Sequence, residues 1–362
     1  MKLGRLYSLL LILLPLTALY GCTGSDSSPA AKPFNLVIYS TGVFGDTSIP
    51  LEDQKGKYVN ELISSGYTTL IHATFHVYPG GKIVLNGSDT WLIDESGNVN
   101  YVMLYLKDIY GNLKQHGITV FASIGGGGGC CFCVRDGNGD LTISSPPQSN
   151  WDYSRVMTFY NDKGTDHQFF KNLVLLKTQF GIDGIDLNYE PKETHCGQQA
   201  NPYAGYDADF TKLLVDLIKY LKQNDMKVIA TPWMGGIPMG RENFWPNVIT
   251  QTIDRNGPML DWLQVQQYSG SDVISDWKKV AEDAGVQNPL AFVAAGYSCS
   301  QDSCNIQDLD HLTTDIKNTP AGLDKFFLWQ YKAMIGHAGD NNCDNTAAEY
   351  AHAIRQGFAL KP

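Results

Sequence analysis

The sequence contains no cluster of basic residues that could follow the backbone of a nucleic acid. Its 362 residues carry 27 basic and 37 acidic side chains, which gives a formal net charge of −10 at pH 7. Lys and Arg gathered on one surface are the usual mark of a protein that binds nucleic acid. We therefore expect no nucleic-acid partner, and this charge balance is better suited to a neutral glycan.

The sequence also lacks an apolar run long enough to span a membrane. Residues 6–19 are apolar, but this run is shorter than the roughly 20 residues that a transmembrane helix needs. It follows Lys2 and Arg5, and a short apolar run after basic residues is the arrangement of a signal peptide. The sequence therefore predicts an exported protein.

The end of the apolar run resembles the cleavage box of a bacterial lipoprotein. Residues 19–22 read LYGC, and the resemblance implies a signal peptide at 1–21 and a lipid on Cys22 as the sole membrane attachment. The Ser/Pro/Ala-rich residues 22–33 are then a flexible tether. Thr23, in place of Asp after the cysteine, implies sorting to the outer membrane. The alternative is a plain secretory signal in which the cysteine is incidental.

The paired C-x-x-C spacing of a zinc knuckle is absent too. Seven cysteines follow Cys22, and an odd number allows at most three disulfides and leaves one thiol free. Exported proteins usually oxidise their thiols, so we expect disulfides, with zinc as the alternative; no metal ion or cofactor is predicted. The seven are Cys130, Cys131, Cys133, Cys196, Cys299, Cys304 and Cys343.

From residue 34 onward, apolar segments of strand length alternate with helical patterns. Eight such strands over residues 34–360 match the count and size of a (β/α)8 (TIM) barrel, an α/β fold whose parallel strands are joined by right-handed crossovers. The alternative is a doubly wound open sheet. The predicted strands are residues 35–40, 68–77, 118–124, 182–190, 227–234, 260–268, 290–297 and 325–331.

Helical periodicity follows most of these strands, and two insertions interrupt the alternation. Examples of the helical pattern are residues 102–113, 273–284 and 347–354. Residues 79–100 predict a β-hairpin after the second strand, and residues 125–150 a Cys/Gly-rich loop after the third. In a barrel, both insertions would lie at the carboxyl ends of the strands, where barrel enzymes have their active sites.

One predicted strand carries polar residues on a single face. Residues 180–190 read FGIDGIDLNYE, and in an extended strand alternate side chains share a face. The helical patterns on both sides indicate a strand buried on both faces, where carboxylates are costly unless they take part in chemistry. A half-exposed edge strand is the alternative. The residues that share the polar face are Gly184, Asp186, Asn188 and Glu190.

The segment DGIDLNYE resembles the DGxDxDxE signature of glycoside hydrolase family 18. This family includes the chitinases and one group of endo-β-N-acetylglucosaminidases. Asp183, Asp186 and Glu190 match the signature, whereas Asn188 stands where the family has its third Asp. The resemblance implies a structural role for Asp183 and Gly184 and a catalytic role for the three residues that follow on the polar face.

The end of the third predicted strand resembles the second signature of the family, SxGG. Ser123, Gly125 and Gly126 match that motif, and glycine there allows a close approach of neighbouring backbone. A flexible glycine run without a special role is the alternative.

The residues at two later strand ends resemble motifs of the same family. Gln266 and Tyr268 match a Gln-x-Tyr motif whose tyrosine binds the acetamide of the substrate in the family. Trp329 stands where the family has the tryptophan beneath the reactive sugar. Trp233 is a further aromatic residue near a strand end that could stack on a sugar. Each of these aromatic residues could instead be ordinary packing inside a barrel.

The resemblance implies retaining, substrate-assisted hydrolysis, in which the N-acetyl group of the sugar attacks its own anomeric carbon. Glu190 is then the acid and base, while Asn188 and Tyr268 orient the acetamide. Asp186 favours the protonated form of Glu190 and polarises Asn188. Because Asn188 lacks the charge of Asp, we expect a chemical step that is slower by roughly ten- to thirtyfold.

The sequence therefore predicts a hydrolase that cleaves β-1,4-linked N-acetylglucosamine in chitin or chito-oligosaccharides and acts as a monomer. An endo-β-N-acetylglucosaminidase acting on N-glycan cores is one alternative, since Asn188-Tyr189-Glu190 also resembles the Asn-x-Glu pair of a second family of such enzymes. A weakly active or non-catalytic glycan-binding lipoprotein is another. The presence of Glu190, Tyr268 and Trp329 favours activity, because non-catalytic relatives commonly lose the acid.

Overall fold

The structure, a computed structural model, describes nine stretches of the chain. The predicted signal peptide and tether, at residues 1–33, lie outside the described residues, as does most of the predicted Cys/Gly-rich loop at 125–150. The described residues are 34–77, 81–85, 91–125, 168–188, 203–232, 244–269, 273–299, 306–335 and 343–361.

Eight parallel strands close into a barrel. The twelve strands of the described residues are β1 Asn35–Thr41, β2 Thr69–Val77, β3 Ile83–Leu85, β4 Trp91–Ile93, β5 Thr119–Gly125, β6 Gly184–Asn188, β7 Lys227–Ala230, β8 Ile253–Asp254, β9 Gly257–Pro258, β10 Leu263–Val265, β11 Val293–Ser298 and β12 Lys325–Trp329. The barrel order is β1-β2-β5-β6-β7-β10-β11-β12, and the ring closes because β1 pairs in parallel with both β2 and β12. This confirms the predicted (β/α)8 barrel and excludes an open sheet, which would have two free edges.

Helices follow most of the barrel strands, as the periodicity predicts. The α-helices of the described residues are α1 Val59–Ser64, α2 Tyr105–Gln115, α3 Gln168–Leu175, α4 Tyr203–Gln223, α5 Phe244–Gln251, α6 Ile274–Asp283, α7 Leu309–Asn318, α8 Tyr331–Met334 and α9 Ala347–Ala359. Short π-helical segments are found at Asp53–Tyr58 and Leu176–Phe180, and short 3-10 helices at Tyr101–Leu104 and Gln267–Ser269. The helices predicted at 102–113 and 273–284 are found as α2, with the turn before it, and α6.

The last helix runs beyond its predicted end at residue 354. A capping box of Thr346 and Glu349 starts α9, which then continues to Ala359. Gly357 lies inside this extension, and a Cβ at that position would lie 2.5 Å from the carbonyl oxygen of Thr313 in α7. The glycine therefore allows two helices to approach closely and does not end the helix.

The alternation of side chains along each strand separates two cores. In β6, Ile185 and Leu187 belong to the large apolar cluster between the strands and the surrounding helices. A smaller cluster, which we call the inner cluster, fills the barrel itself. The inner cluster consists of Val37, Tyr39, Ile71, Ala73, Phe121, Ile229, Trp262, Tyr268, Ala294 and Phe327, with Trp329 packed against it.

The predicted insertion after the second strand is a β-hairpin, as expected. Strands β3 and β4 pair antiparallel to each other, and β3 pairs antiparallel with the end of β2, where Phe75 lies opposite Leu85. The hairpin therefore extends the sheet at the carboxyl end of β2. The sequence did not predict the second, shorter hairpin of β8 and β9, which precedes β10.

One disulfide lies within the described residues. It joins Cys299, directly after β11, to Cys343, before α9, with their Cα atoms 5.4 Å apart. The expectation of disulfide bonding is confirmed for this pair, while the other cysteines lie outside the described residues. In the part of the chain that the structure describes, no helix has the length and apolar character needed to cross a membrane.

Candidate active site

A buried carboxylate lies inside the barrel at β6. Asp186 is fully buried, and its two oxygens accept hydrogen bonds from three hydroxyl groups on three other strands or strand ends. Ser123 of β5 donates to Oδ2 over 2.6 Å, and Tyr39 of β1 donates to the same oxygen over 3.0 Å. Thr231, directly after β7, donates to Oδ1 over 2.8 Å. The acid is therefore fixed from three directions.

This environment changes the acidity of the network. Burial raises the pKa of the Asp186 carboxyl to about 6, although the hydrogen bonds from Ser123, Thr231 and Tyr39 act to lower it. Burial, together with the nearby Asp186 carboxylate, raises the pKa of Tyr39 well above its ordinary value. Asp186 can therefore exchange a proton in weakly acidic solution, while Tyr39 stays a neutral hydrogen-bond donor.

Asn188, the last residue of β6, presents an unpaired acceptor. Its side chain is 4% exposed, and its Oδ1 atom has no hydrogen-bond partner among the described residues. Gly125 of β5 lies opposite it in the parallel register and has φ +101°, a conformation that favours glycine. The sequence predicted that Asp186 would polarise Asn188; the hydrogen bonds that the carboxylate accepts within the described residues come from the three hydroxyls.

The two aromatic residues of the later strand ends belong to the same inner face. Tyr268 lies in the turn after β10, and its ring centroid is 6.1 Å from that of Phe327 in β12. Trp329, at the end of β12, is half-buried and lies 5.5 Å, centroid to centroid, from Tyr39. Tyr39 therefore contacts both the acid of β6 and the tryptophan of β12, and the barrel brings these predicted site residues together around it.

The residues of the structural motifs occupy supporting positions. A Cβ on Gly184 would lie 2.5 Å from the carbonyl oxygen of Lys227 and 2.5 Å from the ring of Phe121, so no side chain fits there. Asp183 accepts the backbone N–H of Val120 over 2.9 Å and forms an ion pair with Lys114 over 2.6 Å. These contacts connect the start of β6 to β5 and to α2, the helix before β5.

The remaining predicted site residues are either buried or not described. Gln266, between β10 and Tyr268, is 5% exposed. Four predicted residues lie outside the described residues, and they are Cys22, Gly126, Glu190 and Trp233.

Sequence reasoning missed Tyr39 and Thr231. Tyr39 shares the inner face of β1 with Val37, so the same two-residue alternation that singled out Asp186 also places it inside. Thr231 follows the apolar run of β7 at the carboxyl end of the strand. A search for hydroxyl groups at inward positions near strand ends would have found both.

No family model matches this sequence, and no curated protein matches it significantly. Solved chitinase structures match the fold. A GH18 chitinase from Pseudoalteromonas aurantia has a TM-score of 0.52 at 14% identity, over 89% of this chain and 99% of that one. The Group IV chitinase of Ostrinia furnacalis, in complex with allosamidin, has a TM-score of 0.53 at 11% identity, over 90% and 99%. A class V enzyme of Pseudomonas fluorescens has a TM-score of 0.52 at 11% identity, also over 90% and 99%. The chain therefore has the barrel fold of GH18 chitinases.

Proposed function

We propose that this protein is a glycoside hydrolase of family 18 that cleaves β-1,4-linked N-acetylglucosamine. The observation that carries the proposal is the buried, unpaired Oδ1 atom of Asn188 at the carboxyl end of β6. A buried acceptor without a donor costs about 1–3 kcal/mol, so a ligand that supplies an N–H group at this position gains that stabilisation. The acetamide of N-acetylglucosamine is such a donor.

The surroundings of Asn188 support a sugar site. Barrel enzymes hold their substrates at the carboxyl ends of the strands, and Asn188, Tyr268 and Trp329 all lie at or just beyond such ends. The half-buried Trp329 offers an aromatic face, on which the apolar face of a sugar ring can stack. The likeness of the fold to GH18 chitinases agrees with this choice of substrate.

The proposed reaction divides the chemistry between the substrate and two side chains. Glu190 protonates the glycosidic oxygen, and the bond to the leaving sugar breaks as the acetamide carbonyl oxygen bonds to the anomeric carbon. Asn188 accepts the acetamide N–H and holds the group in line for this attack. Water then opens the oxazolinium ring and returns a proton to Glu190, so the anomeric configuration is retained.

Turnover of fluorogenic chito-oligosaccharides tests the proposal. Wild-type protein is expected to release the fluorophore, and Glu190→Gln is expected to abolish release because it removes the transferable proton. Glu95→Gln, at an exposed turn, is the matched control and should retain full activity. Binding of chito-oligosaccharides by wild type without any product after a day would reject the hydrolase in favour of a glycan-binding protein.

Restoring the family's carboxylate at position 188 is expected to raise the rate. Asn188→Asp adds a charge that strengthens the hydrogen bond to the acetamide by about 1–2 kcal/mol, which predicts a kcat roughly ten- to thirtyfold higher. Asn256→Asp, in the exposed turn between β8 and β9, makes the same chemical change away from the site and should leave kcat unchanged. A lower kcat in Asn188→Asp would contradict the assigned role of Asn188.

The sequence Asn188-Tyr189-Glu190 favours a second candidate, an endo-β-N-acetylglucosaminidase acting on the chitobiose core of N-glycans. The same acetamide chemistry would serve, with a glycoprotein in place of chitin. Mass spectrometry of a treated glycoprotein distinguishes the two, because the endoglycosidase leaves one N-acetylglucosamine on each former glycan site. An unchanged glycoprotein, together with turnover of chito-oligosaccharides, would reject this second candidate.

A further inference from the structure

The Asp186 network contains a residue that no family motif in this sequence accounts for. Thr231 is 2% exposed and follows β7, the strand next to β6 in the barrel. Its backbone N–H donates to the carbonyl oxygen of Leu187 over 3.0 Å, which fixes its position relative to β6. Its hydroxyl lies 2.8 Å from Oδ1 of Asp186 and 2.5 Å from the hydroxyl of Tyr39.

The three hydroxyls divide the two carboxylate oxygens of Asp186 unequally. Within the described residues, Oδ2 accepts from both Ser123 and Tyr39, whereas Oδ1 accepts from Thr231. Thr231 and Tyr39 carry one hydroxyl proton each, and either hydroxyl can act as the donor in the contact between them. The threonine thus holds one oxygen of the acid and also contacts the tyrosine that donates to the other oxygen.

A buried carboxylate oxygen without a donor is costly, so the loss of the Thr231 hydroxyl would leave the acid free to turn or to take up a proton. Asn188 follows Asp186 on the same face of β6, and its neutral amide exerts no charge repulsion that would turn the carboxylate away. Hydroxyl groups therefore set the orientation of the Asp186 carboxylate, and among the described residues Thr231 is the one side chain that donates to Oδ1.

We propose that Thr231 is a positioning residue that holds Asp186 in its place beneath Asn188 by donating to Oδ1. The inference that this placement matters for turnover rests on the proposed function, whereas the contact itself can be tested without a substrate. A donor to the ionised carboxylate lowers the pKa of the acid, so Thr231 also increases the fraction of Asp186 that is charged near neutral pH.

Two titratable groups bear on the Asp186 titration within the described residues, and Glu190, which lies outside them, is predicted on the same face and is expected to titrate together with Asp186. Among the described residues, Tyr39 on β1 contacts the acid directly, and Tyr268 acts on Tyr39 from the turn after β10. The other two contacts of the acid are hydroxyls that do not titrate in this range, those of Ser123 on β5 and Thr231 after β7.

The decisive experiment follows the Asp186 carboxyl by NMR in protein labelled with 13C-aspartate, with the resonance assigned by its loss in Asp186→Asn. Thr231→Val removes the hydroxyl at nearly constant shape, and the midpoint of the Asp186 titration is expected to rise by roughly one to two pH units. Thr231→Ser keeps a hydroxyl and should restore the wild-type midpoint. Thr252→Val is the matched control, since the Thr252 hydroxyl is also fully buried but donates to the backbone of α5.

A wild-type midpoint in Thr231→Val, or the same rise in Thr252→Val, would overturn the proposal. Should Thr231→Val fail to fold, Thr231→Ala provides the same titration test, with the same two outcomes. If the protein turns over chito-oligosaccharides, the acid side of its kcat–pH profile should move upward with the midpoint in Thr231→Val and return in Thr231→Ser. A shifted midpoint in a protein without turnover would leave the positioning role standing and reject the hydrolase function alone.

Discussion

At the residue scale, the polar face of β6 combines a buried carboxylate with a neutral amide two residues later. An Asp at position 188 would place a second carboxylate on the same face, and neighbouring carboxylates raise each other's pKa. With Asn188 there, the raised pKa of Asp186 comes from burial, and no charged side chain among the described residues opposes it. Asn188 therefore adds no charge that would shift the pKa of Asp186, and it leaves the position that we propose to face the acetamide without a charge.

The pKa of Asp186 predicts that its contribution to stability falls as the pH rises from about 4 to about 6. The unfolded chain releases this proton near the ordinary value of 3.8, whereas the folded protein keeps it until about pH 6. Protons thus favour the folded state, and this contribution is fully present below the unfolded pKa and lost above the folded one. A difference of about two pH units, at about 1.4 kcal/mol for each, corresponds to roughly 3 kcal/mol.

Urea unfolding of wild type and Asp186→Asn, at several pH values across this window, measures the effect. The asparagine variant cannot bind the proton, so its free energy of unfolding should fall less steeply with pH than that of wild type. Titrating groups that do not interact with Asp186 contribute equally to both proteins and cancel in the comparison. Parallel curves for the two proteins would show that Asp186 titrates at its ordinary value in the fold.

At the element scale, β6 depends on small and polar residues on one side and on apolar residues on the other. Its outward Ile185 and Leu187 pack against the helices, while its inward face begins with a glycine that lies against Phe121 of β5. This glycine lets β5, β6 and β7 approach at the level just below Asp186. Close packing of the three strands therefore requires the glycine of the DG pair in this barrel.

Gly184→Ala is expected to lower the free energy of unfolding by about 1–3 kcal/mol, because the added Cβ would lie 2.5 Å from a backbone oxygen that cannot move aside easily. Gly111→Ala is the matched control in α2, where nothing lies within 4 Å of the added carbon. There alanine should raise the free energy of unfolding by about 0.5–1 kcal/mol, since it restricts the unfolded chain and favours helix. Denaturant unfolding of both variants checks the opposite signs, and a stable Gly184→Ala would contradict the close approach.

At the scale of the whole molecule, the barrel is closed by strand pairing, and a covalent bond ties together its last third. The disulfide between Cys299 and Cys343 joins the end of β11 to the segment before α9 across 44 positions of sequence. The enclosed chain contains α7, β12 and therefore Trp329. The bond thus restrains the part of the chain that presents this aromatic residue to the site.

Removing this bond with Cys299→Ser/Cys343→Ser is expected to lower the free energy of unfolding by up to about 4 kcal/mol, the chain-entropy value for a loop of 44 residues. Thermal unfolding of the oxidised double variant and wild type measures it. Mass spectrometry of non-reduced peptides should show the two cysteines joined in wild type. A peptide that instead joins Cys299 to Cys304 would contradict this pairing.

The sequence by itself determined the elements of the barrel, although not the short hairpin of β8 and β9. All eight barrel strands, the hairpin after the second of them and the inward face of β6 follow from alternation and helical periodicity, which are properties of neighbouring residues. Boundaries such as the end of α9 at Ala359 did not follow, because contact with α7 rather than local pattern sets them.

Only the tertiary structure decided which residues surround the acid. The hydroxyls that hold Asp186 come from Tyr39, Ser123 and Thr231, at separations of 147, 63 and 45 positions along the chain. The pairing of Cys299 with Cys343, 44 positions away, was likewise decided by the tertiary structure. Periodicity assigns each side chain to a face, but the closure and stagger of the barrel determine which inward side chains meet, and no local pattern encodes that register.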